Sequence, residues 1–110
     1  MKLPNAENAT VEIAKLRDYS LDATHEEGQH KARVFAAALG ICKDDADWLR
    51  ESLLEAVRHH ECERGRNTAF GQRYVLDFPL THAGAAARVR SVWNVRPGET
   101  FARLITCYVL

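Results

Sequence analysis

Long apolar runs are missing from this chain of 110 residues. No stretch approaches the roughly 20 consecutive apolar residues that cross a bilayer, and the first residues lack the apolar segment of a secretory signal. We therefore expect a cytoplasmic protein with no membrane contact. With 46% hydrophobic and 27% charged residues, the composition excludes disordered and fibrous chains. The length predicts a single domain over residues 1–110.

Cysteine is scarce, and so are the short motifs of cofactor chemistry. Cys42, Cys62 and Cys107 form no close pair, and any disulfide scheme leaves one of them over. That count fits a reducing compartment. The sequence has no glycine-rich phosphate loop, nucleophile elbow or paired-cysteine motif. Residues 59–62 (HHEC) lack the spacing of a zinc site. We expect no cofactor and no metal.

Charge is balanced in total but not along the chain. Residues 1–63 hold 8 basic and 13 acidic side chains, whereas residues 64–110 hold 7 basic side chains, all arginine, and 2 acidic ones. Such a split indicates either that the C-terminal half faces an anion or that the two halves attract each other in the fold. Both interpretations stay open from the sequence.

Hydrophobic spacing in the first 63 residues predicts three helices. A short helix is expected over residues 14–21 and a second over residues 29–39, where Gly40 is a suitable terminator. A third begins at Asp44 or Asp45 and runs to about Cys62, with an apolar stripe along one side. Residues 3–13 are expected to be extended, and residues 63–71 to form a charged loop.

After residue 71 the apolar period changes from that of a helix to two. Three strands are predicted, joined by turns at Gly84 and at Pro97 and Gly98, with the last strand running from Arg103 to Leu110. The sequence therefore predicts an α+β domain. Helices within residues 1–63 pack on one face of a small antiparallel sheet within residues 72–110.

Four polar residues cluster at the start of the second predicted helix: His25, His30, Lys31 and Arg33. Free backbone N–H groups and the helix dipole already favour an anion at such a place. Two imidazoles and two cations there would make a phosphate site with a candidate general acid or base. The alternative is a solvated basic start of a helix.

A second cluster lies on the predicted strands. The side chains that alternate with the apolar ones point to the face opposite the helices: Arg73, Asp77, Arg88, Arg90 and Asn94. The last strand offers that face either Arg103 and Cys107 or Thr106 and Tyr108, and alternation alone does not decide. Arginines on neighbouring strands repel unless an anion bridges them, and their geometry suits phosphate. The alternative is a solvent face neutralised by Asp77 and the acidic helices.

Several segments together resemble a known family: residues 28–35 (GQHKARVF), 39–40 (LG), Tyr74, 89–93 (VRSVW) and 103–109 (RLITCYV). They resemble an uncharacterised bacterial family, domain of unknown function 6883, over nearly the whole chain. Related domains lie at the C-terminal tips of polymorphic bacterial toxins and resemble ribonucleases of the barnase–EndoU–colicin–RelE group. In that fold, N-terminal helices cover one sheet face, and the RNA-cleaving residues lie on and around the other.

The resemblance implies a toxin-type ribonuclease that cleaves RNA without a metal, by attack of the 2′-hydroxyl on the adjacent phosphate to leave a cyclic phosphate. His30 is then the acid or base, with His25 as a second histidine in a two-histidine version. Lys31 and Arg90 stabilise the phosphate, and Thr106 or Tyr108 position it. The implied catalytic set is His30, Lys31, Arg90, Ser91, Thr106 and Tyr108. The implied RNA-binding set is His25, Arg33, Arg73 and Arg88.

Two partners follow from this interpretation: RNA, and a cognate antitoxin or immunity protein. The alternative is a non-enzymatic module, such as an antitoxin-like or immunity-like protein or an inactive relative, that uses the charged sheet face to hold another protein. Catalysis by groups from two elements requires His30 and Arg90 to border one partly exposed cleft.

Overall fold

The helices lie in the N-terminal part of the chain, in a computed structural model that describes all 110 residues. The two regular helices are α1 (Gln29–Leu39) and α2 (Ala46–His59). Three shorter helical turns accompany them. A 3₁₀ turn at Ala6–Asn8 and a π-helical turn at Leu16–Ser20 lie before α1, and a 3₁₀ turn at Lys43–Asp45 lies between α1 and α2. None of these helices combines the length and the apolar character needed to cross a membrane.

Both helices begin and end for local reasons. Gly40 ends α1 in the left-handed conformation, with φ of 64°, and its N–H bonds back to the last turn. The Asp45 carboxylate accepts the N–H of Cys42 at 2.9 Å just before α2 begins. The second helix buries the predicted stripe of Ala46, Leu49, Leu53, Ala56 and Val57, and it ends at His59 rather than near Cys62.

The sheet has four antiparallel strands in the order β1-β2-β3-β4. Their bounds are Glu63–Thr68 for β1, Gly71–His82 for β2, Ala85–Val95 for β3 and Arg103–Val109 for β4. The central pair, β2 and β3, is in register over its whole length, from Gln72 opposite Val95 to His82 opposite Ala85. The expected meander is confirmed.

The helices cover one face of this sheet, and the core lies between them. From the strands the core takes Tyr74, Leu76, Phe78 and Leu80 of β2 and Val89 and Trp93 of β3. From the helices it takes the α2 stripe and Phe35 and Leu39 of α1. The predicted α+β class, with N-terminal helices on one face of an antiparallel sheet, is confirmed. We call the opposite face the open face.

A bulge in β4 decides which of its side chains reach the open face. Thr106 pairs with Val92, and Leu104 pairs with Trp93, so Ile105 has no partner on β3. Leu104 and Cys107 are therefore both buried in the core although they are three residues apart. Thr106 and Tyr108 lie in register with open-face positions of β3.

One local prediction was wrong, and two others need a local adjustment. Residues 63–71 do not form a loop, because Glu63–Thr68 is the edge strand β1, so the sheet begins nine residues earlier than expected. The short helix expected over residues 14–21 is confirmed over residues 14–20, with Leu16–Ser20 as a π-helical turn. The expected extended segment over residues 3–13 is interrupted by the 3₁₀ turn, and Thr10 then makes an isolated parallel bridge to Arg103.

Candidate active site

The Lys31 ammonium is the centre of the candidate site. From the first turn of α1 it reaches β4, where it donates to Thr106 Oγ1 at 3.1 Å, and it also donates to Tyr19 Oη at 3.0 Å. It lies 4.6 Å from the centre of the Tyr19 ring and 5.7 Å from that of Tyr108. Because an ammonium carries three donors, one N–H stays free.

No carboxylate lies within ion-pairing distance of Lys31, although the side chain is half-buried. Lysines with restricted solvent access are usually paired. Here hydroxyls and aromatic rings hold the positive charge in place without neutralising it. The charge is therefore available to an anionic ligand.

Tyr19 reaches Lys31 because the chain before α1 is folded tightly against it. His25 Nδ1 accepts the N–H groups of Glu27 and Gly28, each at 3.0 Å, and its ring lies edge-on to Tyr19. A side chain at Gly28 would collide with the Tyr19 carbonyl group, so this position requires glycine. His25 thus shapes the turn that brings Tyr19 and α1 together.

Lys31 lines two adjoining hollows, which we call the edge groove. One hollow, of about 570 Å³, is lined by Tyr19, Lys31 and Thr106 together with Glu12, Glu27 and Ile105. The other, of about 250 Å³, is lined by His30, Lys31 and Tyr108 together with Val34 and Val109. His30 is exposed at the start of α1. The groove therefore combines an imidazole, the ammonium groups of Lys31 and Lys15, three hydroxyls and two carboxylates.

Arg90 lies on the open face beside this groove and is already paired. It makes two hydrogen bonds with Asp77, directly opposite it on β2. The bond to Asp77, and after it the interaction with the Tyr108 hydroxyl, raises the pKa of the Arg90 guanidinium above its usual value. The same hydrogen bond lowers the pKa of the Asp77 carboxyl. Arg90 is thus a fixed cation whose charge is largely compensated.

His30 and Arg90 do not line the same hollow. Arg90 borders a separate polar cavity of about 370 Å³ whose other lining residues include His60, Asp77 and Arg88. Tyr108 lies between the cavity beside Arg90 and the hollow beside His30. It is opposite Arg90 in the sheet, and it also lines the hollow that contains His30. The expected single cleft is therefore divided by Tyr108.

The structure gathers four of the six candidate catalytic residues in the edge groove: His30, Lys31, Thr106 and Tyr108. Ser91 is not among them, because it is fully buried on the helix-covered face. Its hydroxyl donates to the Leu76 carbonyl at 2.8 Å and accepts the Trp93 indole N–H at 2.9 Å. Ser91 is therefore left out of the candidate site, because both of its hydrogen bonds are made inside the core.

The candidate RNA-binding residues are dispersed. Arg73 and Arg88 are exposed on the open face at positions that flank Asp77 along the sheet. Arg33 is exposed on α1 and bonds to Gln29 at 3.2 Å. His25 accepts two backbone N–H groups of its own turn through Nδ1, which gives it a structural role, and the RNA contact expected from the sequence stays a prediction.

Sequence reasoning missed Tyr19, Glu12 and Glu27 as residues of the groove. Tyr19 is separated from Lys31 by a loop, and no spacing in that loop shows that the two side chains meet. The one available signal was Gly28, since a glycine before a helix often marks a close approach of two backbones. Glu12 and Glu27 gave no signal that distinguished them from other surface carboxylates.

Comparison with known proteins identifies the family. The sequence profile of the domain of unknown function DUF6883 matches residues 2–110. The chain belongs to this family. No curated protein sequence matches this DUF6883 domain.

Among solved structures, the DUF6883 domain is similar to a chain of a contact-dependent growth inhibition toxin–immunity protein complex from Klebsiella pneumoniae 342. The TM-score is 0.71 at 16% sequence identity, and the match covers 91% of this chain and 98% of the other. At that identity the similarity establishes a shared fold.

Proposed function

We propose that this DUF6883 domain is a toxin-type ribonuclease that cleaves RNA without a metal ion, with the edge groove as its active site. The observation that carries the proposal is the uncompensated Lys31 ammonium, held by the hydroxyls of Tyr19 and Thr106 with one N–H free. A fixed cation next to an exposed imidazole is the combination that phosphate transfer requires. The fold shared with a chain of a toxin–immunity complex supports a role in such a system, and the groove around Lys31 is what favours the toxin within it.

The reaction divides among these groups as follows. A base removes the proton of the ribose 2′-hydroxyl, the oxygen forms a bond to the adjacent phosphorus, and the bond from phosphorus to the 5′ oxygen breaks. An acid then protonates the leaving oxygen, so the products are a 2′,3′-cyclic phosphate and a 5′-hydroxyl. His30 performs one of the two proton transfers, and the Glu27 carboxylate in the adjoining hollow is placed for the other.

Lys31 stabilises the charge that develops on the phosphate, because one of its N–H groups is free to donate and the half-buried site strengthens the interaction. Arg90 adds a second positive group on the other side of Tyr108. The Thr106 hydroxyl positions Lys31, and Thr106 or Tyr108 positions the phosphate. Ser91 and His25 are outside the proposed machinery.

The test is cleavage of an end-labelled RNA by the full chain in the presence of a chelator. We expect products that end in a cyclic phosphate, and no cleavage of the same RNA carrying 2′-O-methyl groups. Lys31→Met and His30→Gln should each lower the rate by about a hundredfold or more. The matched controls are Arg58→Gln and His59→Gln, which alter an exposed cation and an exposed histidine on α2. Melting temperatures verify that each variant is folded.

Three results would overturn the proposal: loss of activity with the chelator, equal cleavage by Lys31→Met, or no cleavage by the wild type together with no toxicity on expression. The last result would favour the non-enzymatic alternative, in which the domain binds a cognate antitoxin or immunity protein. RNA binding should weaken steeply with added salt, whereas an apolar protein interface should not.

A further inference from the structure

The β1–β2 hairpin combines three free cations with an exposed aromatic ring. Arg64 and Arg66 on β1 and Arg73 on β2 are exposed, and none has a carboxylate within ion-pairing distance. At the tip of the hairpin, Phe70 is 79% exposed, the most exposed large apolar residue of the chain. We call this element the basic hairpin. Nothing in the core or in the edge groove uses it.

The backbone of the basic hairpin is fixed even though its side chains are free. The Phe70 N–H donates to Thr68 Oγ1 at 3.1 Å, and the Phe70 carbonyl accepts the Asn94 side-chain amide at 2.9 Å. Gly71 allows this close packing, because a side chain there would collide with the Val95 carbonyl. Behind the tip, the Gln72 amide donates to the carbonyls of Gly65 and Arg66.

A fixed backbone lowers the entropy lost when a ligand binds, because only side chains remain to be ordered. Because the Phe70 side chain is exposed, it contributes little to the stability of the fold. It does offer a flat apolar surface to a ligand. Guanidinium groups and an aromatic ring together match the two faces of single-stranded RNA, its phosphates and its bases. An acidic protein would offer partners for the arginines but none specific for the ring.

We propose that the basic hairpin is a binding site for single-stranded RNA, with a base stacked on Phe70 and phosphates on Arg66 and Arg73, which share the open face. Arg64 lies opposite Tyr74 and therefore projects toward the helix-covered side of the sheet. The inference rests on the proposed RNA substrate and extends its binding site across the open face. The hairpin and β4 are at opposite sides of the sheet, separated by three strand spacings of about 4.8 Å each, or about 14 Å. A single strand held at the hairpin therefore spans a few nucleotides before reaching the edge groove.

Binding is tested separately from cleavage with a short, labelled 2′-O-methyl RNA, which the 2′-hydroxyl reaction cannot cut. Phe70→Ala should weaken binding by about tenfold at every salt concentration, because stacking does not depend on counterions. Arg66→Gln should instead reduce the slope of log affinity against log salt by about 0.7, the contribution of one phosphate contact to a single strand. Arg58→Gln, an exposed unpaired arginine on α2, is the matched control and should leave the affinity nearly unchanged.

A direct signal of stacking comes from Phe70→Trp, whose added fluorescence should be quenched by RNA beyond any change seen with Trp48 and Trp93 in the wild type. Unchanged affinity of Phe70→Ala and Arg66→Gln would overturn the hairpin proposal, even if the domain cleaves RNA. Equal binding of polyglutamate would also overturn it and would indicate an acidic protein partner. Hairpin-dependent binding without cleavage would support the hairpin and refute the ribonuclease activity.

Discussion

Asp77 and Arg90 face each other across β2 and β3, joined by two hydrogen bonds. Arg90 Nε donates to Asp77 Oδ1 at 2.8 Å, and Nη2 donates to Oδ2 at 2.9 Å. This two-point geometry fixes the guanidinium plane next to Tyr108. It also makes the contribution of Arg90 to stability depend on the protonation of its partner.

The Asp77–Arg90 pair predicts that the stability of the fold depends on pH in the acidic range. Because the hydrogen bond from Arg90 lowers the pKa of Asp77 below its ordinary value of 3.8 in the folded state, the pair stabilises the fold above that pH and loses its effect as the pH falls further. The wild type should melt at a higher temperature than Asp77→Asn at pH 7, and the difference should shrink below about pH 3.8. A constant difference across the pH range would contradict this prediction.

Removing Arg90 should affect activity more than folding. Arg90→Ala removes a surface ion pair, which is worth little to stability, but it also removes a cation from the proposed phosphate path. Cleavage should therefore fall by about a hundredfold, whereas the melting temperature should fall only about as far as that of Asp77→Asn, which loses the same pair. Asp77→Asn keeps the guanidinium and is the control. Equal cleavage by wild type and Arg90→Ala would exclude Arg90 from the reaction.

Ser91 should behave in the opposite way. Its replacement by alanine leaves the Trp93 indole N–H and the Leu76 carbonyl without their partner inside the core. Unfolding by denaturant should show a loss of about 1–3 kcal/mol, while the folded fraction cleaves RNA at the wild-type rate. Ser52→Ala is a suitable comparison, because that hydroxyl bonds only within α2 and its loss should be nearly neutral.

Gly28→Ala tests the turn that brings Tyr19 to Lys31. The added methyl group would overlap the Tyr19 carbonyl, so the backbone must shift, at a cost of about 1–3 kcal/mol in the free energy of unfolding. At Gly65 the same change meets only ordinary contacts with Arg73, and it should cost far less. Similar losses for the two variants would show that the close approach at Gly28 is unimportant.

The three cysteines should differ in reactivity. Cys42 is exposed, whereas burial raises the pKa of the Cys62 thiol and raises that of the Cys107 thiol to about 12. Since the thiolate is the reactive form, an aromatic disulfide reagent at pH 8 should modify one thiol quickly in the native protein and the other two only after unfolding. Rapid modification of two or three thiols in the native protein would contradict the burial of Cys62 and Cys107.

The elements with a buried face could be predicted from the sequence. Both regular helices, the end of α1 at Gly40 and the three longer strands followed from apolar spacing, because burial on one side imposes a period. The edge strand β1 was missed because all six of its residues are exposed, so it carries no such period. Its polar composition is typical of a loop, and only pairing with β2 makes it a strand.

The candidate site was predictable in part. His30 and Lys31 were found because they are adjacent in sequence, and the alternation of β3 placed Arg90 on the open face. The faces of Thr106 and Tyr108 stayed undecided because the bulge at Ile105 breaks the alternation of β4. The meeting of Tyr19 with Lys31 depends on how the loop before α1 folds, which no local pattern encodes.

The bulge at Ile105 also allows the shape of the edge groove to vary independently of the hydrophobic pattern of β4. A β4 without Ile105 would alternate regularly and would still direct Leu104 and Cys107 to the core and Thr106 and Tyr108 to the open face. The extra residue is therefore dispensable for the hydrophobic pattern, yet it lines the hollow beside Lys31. The width of the groove can thus change through insertion or deletion at one position while the core pattern of the domain stays intact.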